Sequence, residues 1–198
     1  MSKAAGRRAP ANEVRIIGGA WRSRLIAFPS RPELRPTPDR VRETLFNWLG
    51  QDLTGRCCLD LFAGSGALGF EAASRGASRV VLIESDRAAL KMLQESRVAL
   101  GAAQVEIIGG DAGDYLERAS ERFDVVFLDP PFRQNAVPRL LALLPRVLRG
   151  GARVYAESAR PVQAQAGWRE LKRSRAGGVS YQLFEWGEND SSDLPRNV

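Results

Sequence analysis

From residue 57 onward, short apolar runs alternate with longer segments whose apolar residues recur at helical spacing. The runs predict buried strands, and the periodic segments predict helices that bury one face. The predicted strands are 57–62, 79–84, 104–108, 123–129 and 151–157, and the predicted helices are about 67–75, 86–99, 112–119 and 135–148. Such alternation is typical of a parallel sheet covered by helices on both faces. We therefore expect an α/β domain, with two more strands near 168–173 and 179–186.

A different pattern precedes this domain. Two apolar stretches, 14–17 and 21–28, flank the pair Gly18-Gly19 and predict a β-hairpin. Because strand side chains alternate between faces, Arg22 and Arg24 would then lie on one face of the second strand.

A helix is predicted after the proline-rich connector that follows the hairpin. Thr37 and Pro38 suit the N-cap and the first helical position. An apolar stripe of Val41, Leu45 and Trp48 then continues at helical spacing as far as Gly50.

The length of 198 residues suits one domain with a small appendage. We expect a disordered basic tail over 1–12, the hairpin and helix as an N-terminal extension over 13–50, the main domain over 51–186 and a flexible tail over 187–198. The N-terminus lacks an apolar signal core, and no apolar stretch is long enough to span a membrane. These features predict a cytoplasmic protein without a membrane partner.

Positive charge is concentrated at the N-terminal end. The formal net charge is +6, and residues 1–40 hold nine basic and three acidic residues, which accounts for the whole excess. Eight of the nine are arginine, whose forked donors match phosphate geometry. The segment therefore predicts nucleic-acid contact, with Arg22 and Arg24 as the candidates, although a solvated basic tail also fits residues 1–12.

Composition excludes several kinds of catalysis. The chain has no histidine, so imidazole base chemistry and Ser-His-Asp triads are absent. Its two cysteines, Cys57 and Cys58, are neighbours in an apolar run and would point to opposite faces of a strand. We expect buried thiols, with neither a disulfide nor a metal site.

A glycine-rich loop follows the first strand of the main domain. Residues 64–69 satisfy GxGxxG, which is a weak signal that also occurs in nicotinamide dehydrogenases, and Glu84 is near the spacing of a ribose-binding acid. Asp60, however, ends the strand four residues before the first glycine. An acid at that position would repel a pyrophosphate and attract an ammonium group.

The most informative motif is Asp129-Pro130-Pro131-Phe132, directly after the apolar run 123–128. The two prolines fix a rigid turn without a free N–H. The Asp129 carboxylate and the Pro130 carbonyl can accept amino hydrogens while Phe132 stacks on a ring. The motif therefore predicts a cleft for a flat heterocycle that carries an amino group.

Together, the two motifs resemble the S-adenosylmethionine-dependent amino-methyltransferases, and in particular the bacterial 16S ribosomal RNA guanine-N2 methyltransferases known as the RsmD family. The resemblance covers roughly residues 14–186 and is strongest at 35–49, 60–77 and 127–132. It implies a Rossmann-like class I methyltransferase fold with a seven-stranded, mostly parallel sheet. The two additional strands would form an antiparallel hairpin that completes the sheet.

The same resemblance implies roles for individual residues. Asp60, Ala63, Gly64 and Gly66 would surround the methionine end of the cofactor, Glu84 would accept the ribose hydroxyls, and Asp111 with Ala112 would hold the adenine. Asp129, Pro130 and Phe132 would hold the target guanine, and Arg22 and Arg24 would grip RNA phosphates.

Three further positions bear on this resemblance. Ser23 stands where a glycine is expected between the two arginines. Arg42 and Thr37 belong to a segment implied to pack near the cofactor, but a surface arginine and a simple helix cap fit them equally well.

The implied substrate is 16S ribosomal RNA, free or within an assembled small-subunit particle, and the protein would act as a monomer. Three other interpretations stay open. They are adenine-N6 methylation of DNA, glutamine methylation of a protein, and an inert RNA-binding module.

Overall fold

A computed structural model of the chain describes residues 11–30, 36–131 and 136–187. The first part contains strands β1 (Ala11–Arg15) and β2 (Leu25–Pro29) and helix α1 (Asp39–Leu49). The main domain continues with β3 (Cys57–Asp60), α2 (Ala67–Ser74), β4 (Arg79–Glu84), α3 (Arg87–Leu100), β5 (Val105–Gly109), α4 (Ala112–Arg118), β6 (Phe123–Leu128) and α5 (Val137–Leu143). A 3₁₀ turn (Leu144–Val147) then leads into β7 (Leu148–Ser158), β8 (Trp168–Ala176) and β9 (Val179–Trp186).

The main sheet has seven strands in the order β5-β4-β3-β6-β7-β9-β8. Strands β3 to β7 run parallel, and β9 pairs antiparallel with both β7 and β8. This confirms the predicted seven-stranded, mostly parallel sheet. The strand order reverses between β3 and β6, which creates the crevice where open α/β sheets bind their ligands.

Alternation along the central strands divides the core into two apolar layers. Cys58, Leu82 and Phe127 face the layer that includes α1, α2 and the N-terminal hairpin. Leu59 and Val126 face the layer that includes α4 and α5. Because both faces of these strands are buried, the strands are continuously apolar. Both cysteines are free, and burial raises the pKa of the Cys58 thiol.

The predicted hairpin exists, but its predicted boundaries are wrong. Strands β1 and β2 pair antiparallel from Ala11↔Pro29 to Arg15↔Leu25, so residues 11 and 12 belong to a strand rather than to the tail. Residues 16–24 form a long connection instead of a two-residue turn, and the alternation rule therefore does not apply to Arg22 and Arg24. A tertiary contact explains this difference from the predicted turn. The Ala20 amide in the connection donates to the carbonyl oxygen of Ser74, at the end of α2, at 2.7 Å.

Helix α1 begins two residues after Thr37, and its N-cap is Pro38 without a side-chain cap. The cap interpretation of Thr37 is therefore wrong. Thr37 is buried, and its hydroxyl donates to Glu157 Oε1 at 3.1 Å because a buried carboxylate requires donors. None of the helices in the described parts of the chain is long and apolar enough to cross a membrane.

Candidate active site

Four acids among the predicted site residues lie at one edge of the sheet. Asp60 ends β3, Glu84 ends β4, Asp111 follows β5 and Asp129 follows β6. Strands β3 and β6 are neighbours, with Asp60 in register with Phe127. The glycine loop and the acid-diproline turn therefore open on the same side of the molecule, at the switch point of the sheet.

Asp60 is the most unusual acid of this edge, being only 2% exposed. Its Oδ2 accepts the Gly69 amide at 3.2 Å, whereas Oδ1 is buried without a partner among the described residues. Burial, with a smaller contribution from the charge of Glu84, raises the pKa of Asp60 to about 7. A buried acceptor left unpaired is costly, and a cationic donor would relieve that cost. Asp60 thus fits the ammonium group that the sequence assigned to it.

The glycine loop is held between β3 and β4 by backbone contacts. Gly64 N donates to Glu84 Oε2 at 2.7 Å, and Ala63 N donates to Ile83 O at 2.9 Å. Gly66 has a φ of 78°, and a Cβ there would come within 2.6 Å of the Phe70 ring. This position therefore requires glycine on two grounds, backbone conformation and space.

Glu84 is already engaged by the backbone. Its Oε1 accepts the amides of Ser85 at 2.8 Å and Asp86 at 2.7 Å, in addition to the Gly64 contact at Oε2. A carboxylate has about four acceptor positions. The three bonds fix the orientation of the group and leave about one position for a ligand hydroxyl.

Asp111 is the N-cap of α4. Its Oδ1 accepts the amides of Gly113 at 2.7 Å and Asp114 at 3.2 Å, and the residue is exposed. Ala112, next to it, is buried in the apolar layer below. Those two bonds involve Oδ1 only, so Asp111 combines a capping role with an exposed position at this edge of the sheet.

Asp129 stands between two other carboxylates. Leu128 on β6 is in register with Ala156 on β7, and this is the last pair of the two strands. The next residues, Asp129 and Glu157, therefore lie side by side. Burial raises the pKa of Asp129 well above its usual range, and the charges of Glu157 and Asp60 add to the effect. Pro130 is buried at the start of the turn. Phe132 lies outside the described residues.

Comparison with known proteins agrees with this geometry. A family model described as "Conserved hypothetical protein 95" matches residues 14–185. "Ribosomal RNA small subunit methyltransferase D" of Escherichia coli (strain K12) is 41% identical over 187 residues, which cover 91% of this chain and 94% of the relative. The chain belongs to the RsmD family.

Solved structures give the same result. The structure named "Putative methyltransferase yhhF from Escherichia coli" aligns with a TM-score of 0.82 at 38% identity, covering 89% of this chain and 99% of that one. An RNA methyltransferase from Salinibacter ruber, solved in complex with S-adenosyl-L-homocysteine, shares the fold with a TM-score of 0.57 at 22% identity, over 83% and 99% of the two chains. The fold is that of the Rossmann-like S-adenosylmethionine-dependent methyltransferases, as predicted.

In this RsmD family member, the two hairpin arginines have different surroundings. Arg24 Nη2 donates to Ala99 O at 2.9 Å, near the C-terminus of α3. Arg22 is exposed and lines an open surface cleft between the connection and α1. Ser23 between them has a φ of 71°, the left-handed conformation that favours glycine. The position where glycine is expected is therefore occupied by a serine in a conformation that favours glycine.

Arg42 is fully buried, so the interpretation as a surface arginine is wrong. Its guanidinium donates to Thr37 O at 3.1 Å, to Arg15 O at 2.8 Å and to Glu71 Oε2 at 3.4 Å. Glu71 in turn accepts the amide of Ile17 at 2.8 Å. This buried pair ties the hairpin and α1 to α2.

Sequence reasoning missed Glu71, Tyr155 and Glu157. Glu71 is a charge inside a helix whose other residues are all buried, which could have indicated an internal ion pair. Glu157 follows the apolar run 154–156 near the end of β7, in the same relation to its strand as Asp60 and Asp129 have to theirs. The position of an acid at the end of a buried strand was therefore the available signal for a further site residue.

Proposed function

We propose that this protein transfers the methyl group of S-adenosylmethionine to the exocyclic N2 amine of a guanine in 16S ribosomal RNA. The observation that carries the proposal is the adjacency of Asp60 and Asp129 at the ends of neighbouring strands. One acid suits a cationic cofactor and the other suits an amino group. Membership of the RsmD family supports ribosomal RNA as the substrate class.

The chain would hold the cofactor with residues of three strand ends. Asp60 would accept the methionine ammonium at Oδ1, which has no partner among the described residues, beside the loop of Ala63, Gly64 and Gly66. Glu84 would accept a ribose hydroxyl, and Asp111 with Ala112 would border the adenine. When bound, the cofactor supplies an electrophilic methyl group carried on a sulfonium.

The target amine is a poor nucleophile because its lone pair is delocalised into the guanine ring. Asp129 and the Pro130 carbonyl would accept its two hydrogens, which favours a pyramidal nitrogen whose lone pair is aimed at the methyl group. The Asp129 charge would also stabilise the positive charge that develops on nitrogen. Phe132 stays the predicted stacking partner, with stacking worth about 1–3 kcal/mol.

RNA would reach this edge across the N-terminal extension. A paired base cannot enter the cleft, so the guanine must be unpaired or flipped out. Exposed Arg22 and Arg24, on the connection between β1 and β2, would hold phosphates on the way to the site. We expect Arg22→Ala to lower the dependence of RNA affinity on salt concentration. An unchanged dependence would show that Arg22 does not contact phosphate.

The experiment that tests the function is transfer of a labelled methyl group, followed by nucleoside analysis. Protein-free 16S ribosomal RNA, assembled small-subunit particles, DNA and protein are offered as separate substrates. We expect N2-methylguanosine in one of the two ribosomal substrates. Label recovered only as N6-methyladenine in DNA or as methylglutamine in protein would replace this proposal with the corresponding alternative.

A variant of the acid-diproline turn tests the division of roles. Asp129→Asn keeps the size of the side chain but removes its charge. We expect turnover to fall by about 100-fold or more while cofactor affinity stays within about twofold. Asp114→Asn, an acid at the first turn of α4, is the matched control and should behave like the unmodified protein. Parallel loss of turnover and cofactor affinity in Asp129→Asn would show that Asp129 belongs to the cofactor site.

A further inference from the structure

Glu157 is a buried acid that the proposed reaction does not yet use. It lies on β7 directly beside Asp129 and is 6% exposed. Its Oε1 accepts the Tyr155 hydroxyl at 2.8 Å and the Thr37 hydroxyl at 3.1 Å. Two hydroxyl donors from separate parts of the chain therefore converge on one oxygen atom. A carboxylate buried with this much support is held in a defined position.

Thr37 connects the two acids. Its hydroxyl donates to Glu157 Oε1 and also lies close enough to Asp129 to lower the pKa of that acid. A hydroxyl can donate one hydrogen and accept another. When Asp129 carries a proton, the three groups can therefore form a chain in which Asp129 donates to Thr37 and Thr37 donates to Glu157.

The two acids titrate together. Burial raises the pKa of both, and the charge of Glu157 raises that of Asp129 further. The hydroxyls of Tyr155 and Thr37 lower the pKa of Glu157 and so favour its charged form. The pair therefore holds a proton more readily than two separate carboxyl groups would, and the two hydroxyl donors favour the charged form at Glu157.

We propose that Glu157 is a positioning residue which, through Thr37 and Tyr155, holds Asp129 as the acceptor of the proton that the amine releases. The inference rests on the proposed function. As the bond from N2 to the methyl carbon forms and the bond from carbon to sulfur breaks, N2 becomes positively charged. One N2 proton then passes to the Asp129 carboxylate, and the neighbouring charge of Glu157 stabilises the resulting acid. A neighbouring negative charge makes Asp129 a better proton acceptor than an ordinary aspartate.

The sign of the pH effect follows from the groups around Asp129. Glu157 on β7 and Asp60 on β3 raise the pKa of Asp129, whereas Thr37 lowers it. Two tyrosines complete the surroundings: Tyr155 hydrogen-bonds to Glu157, and Tyr181 on β9 lies next to Tyr155. Asp129 must be ionised to accept a proton, so kcat/KM falls as pH drops through its raised pKa. Removing the charge of Glu157 lowers that pKa, which moves the acid limb of the profile to lower pH.

The test is the pH profile of kcat/KM for Glu157→Gln, which keeps the shape of the side chain. We expect the acid limb to move down by about one pH unit and kcat on the alkaline plateau to fall by roughly tenfold to a hundredfold. Cofactor affinity should stay within about twofold, because the change is on the amine side of the site. Glu95→Gln, on the exposed face of α3, is the matched control and should leave the profile unchanged.

Variants of the bridge keep the test decisive if Glu157→Gln does not fold. Thr37→Val removes the hydroxyl and Thr37→Ser restores it, so the valine variant should lose turnover and the serine variant should recover it. If Glu157→Gln lowers kcat without moving the acid limb of the pH profile, or if both Thr37 variants lose turnover equally, Glu157 has only a structural role. The nucleoside analysis is independent of this outcome, since a product other than N2-methylguanosine would overturn the substrate assignment while the pH profile still tests Glu157.

Discussion

Protonation of Asp60 should control cofactor binding. The carboxyl group is buried, one of its oxygens has no partner in the described parts of the chain, and its pKa is raised to about 7. A group with a raised pKa is neutral below that value and charged above it. If the ionised form binds the methionine ammonium, affinity must decline as pH falls through about 7 and must level off above it.

The size of this effect follows from the fraction of Asp60 that is ionised. With a pKa of about 7, only about 1% of the group is charged at about pH 5. The Kd should therefore be about 100-fold weaker at about pH 5 than at its alkaline limit, which corresponds to about 2.7 kcal/mol. An aspartate with the ordinary pKa of 3.8 would stay ionised and would change the Kd little over the same range.

The assay is equilibrium binding of S-adenosylmethionine by calorimetry between about pH 5 and pH 8, within the range where the fold is intact. Methylthioadenosine, which lacks the amino-acid part of the cofactor, is the control ligand and should show a much smaller pH effect. Asp60→Asn should bind S-adenosylmethionine weakly at every pH, with a flat profile. A Kd that is constant for the unmodified protein, or a pH effect that survives in Asp60→Asn, would refute the reasoning.

Two further predictions concern stability. Arg42→Met leaves Glu71 buried with one cationic partner fewer, so we expect a loss of about 3–5 kcal/mol in denaturant unfolding. Arg173→Ala, which breaks an exposed pair, should cost less than about 1 kcal/mol, and equal losses in the two variants would contradict the role of burial. Ser23→Gly relieves a φ of 71° and should stabilise the protein by about 1 kcal/mol, whereas Ser30→Gly should not stabilise it. A loss of stability in Ser23→Gly would mean that the serine side chain contributes more than the strain costs.

Much of the main domain could be predicted because its strands are buried on both faces. Strand β4 has the predicted boundaries, and the other four parallel strands begin or end within a few residues of theirs. The acids at the strand ends were informative for a topological reason, since parallel strands bring their carboxyl ends to one edge. Asp60 and Asp129, which end or follow parallel strands, could therefore be expected at the same edge from the sequence.

The N-terminal extension could not be predicted in the same way, because tertiary contacts override its local pattern. Gly18-Gly19 has the composition of a tight turn, but the backbone around it bonds to Ser74 on α2 and forms part of a longer connection between the two strands. Thr37 has the composition of a cap, but a buried glutamate more than a hundred residues away takes its hydroxyl. Pairings at such separations leave no local periodicity in the chain.

These long-range contacts converge on the short segment that begins helix α1. Arg42 bonds to the carbonyl of Thr37 and to the carbonyl of Arg15 at the end of β1, while the Thr37 hydroxyl bonds to Glu157 in the proposed amine site. The hairpin that would contact RNA and the acids that would act on the base are thus joined through two residues. The extension therefore contributes Thr37 to the surroundings of Glu157 and is tied to the sheet domain by buried contacts.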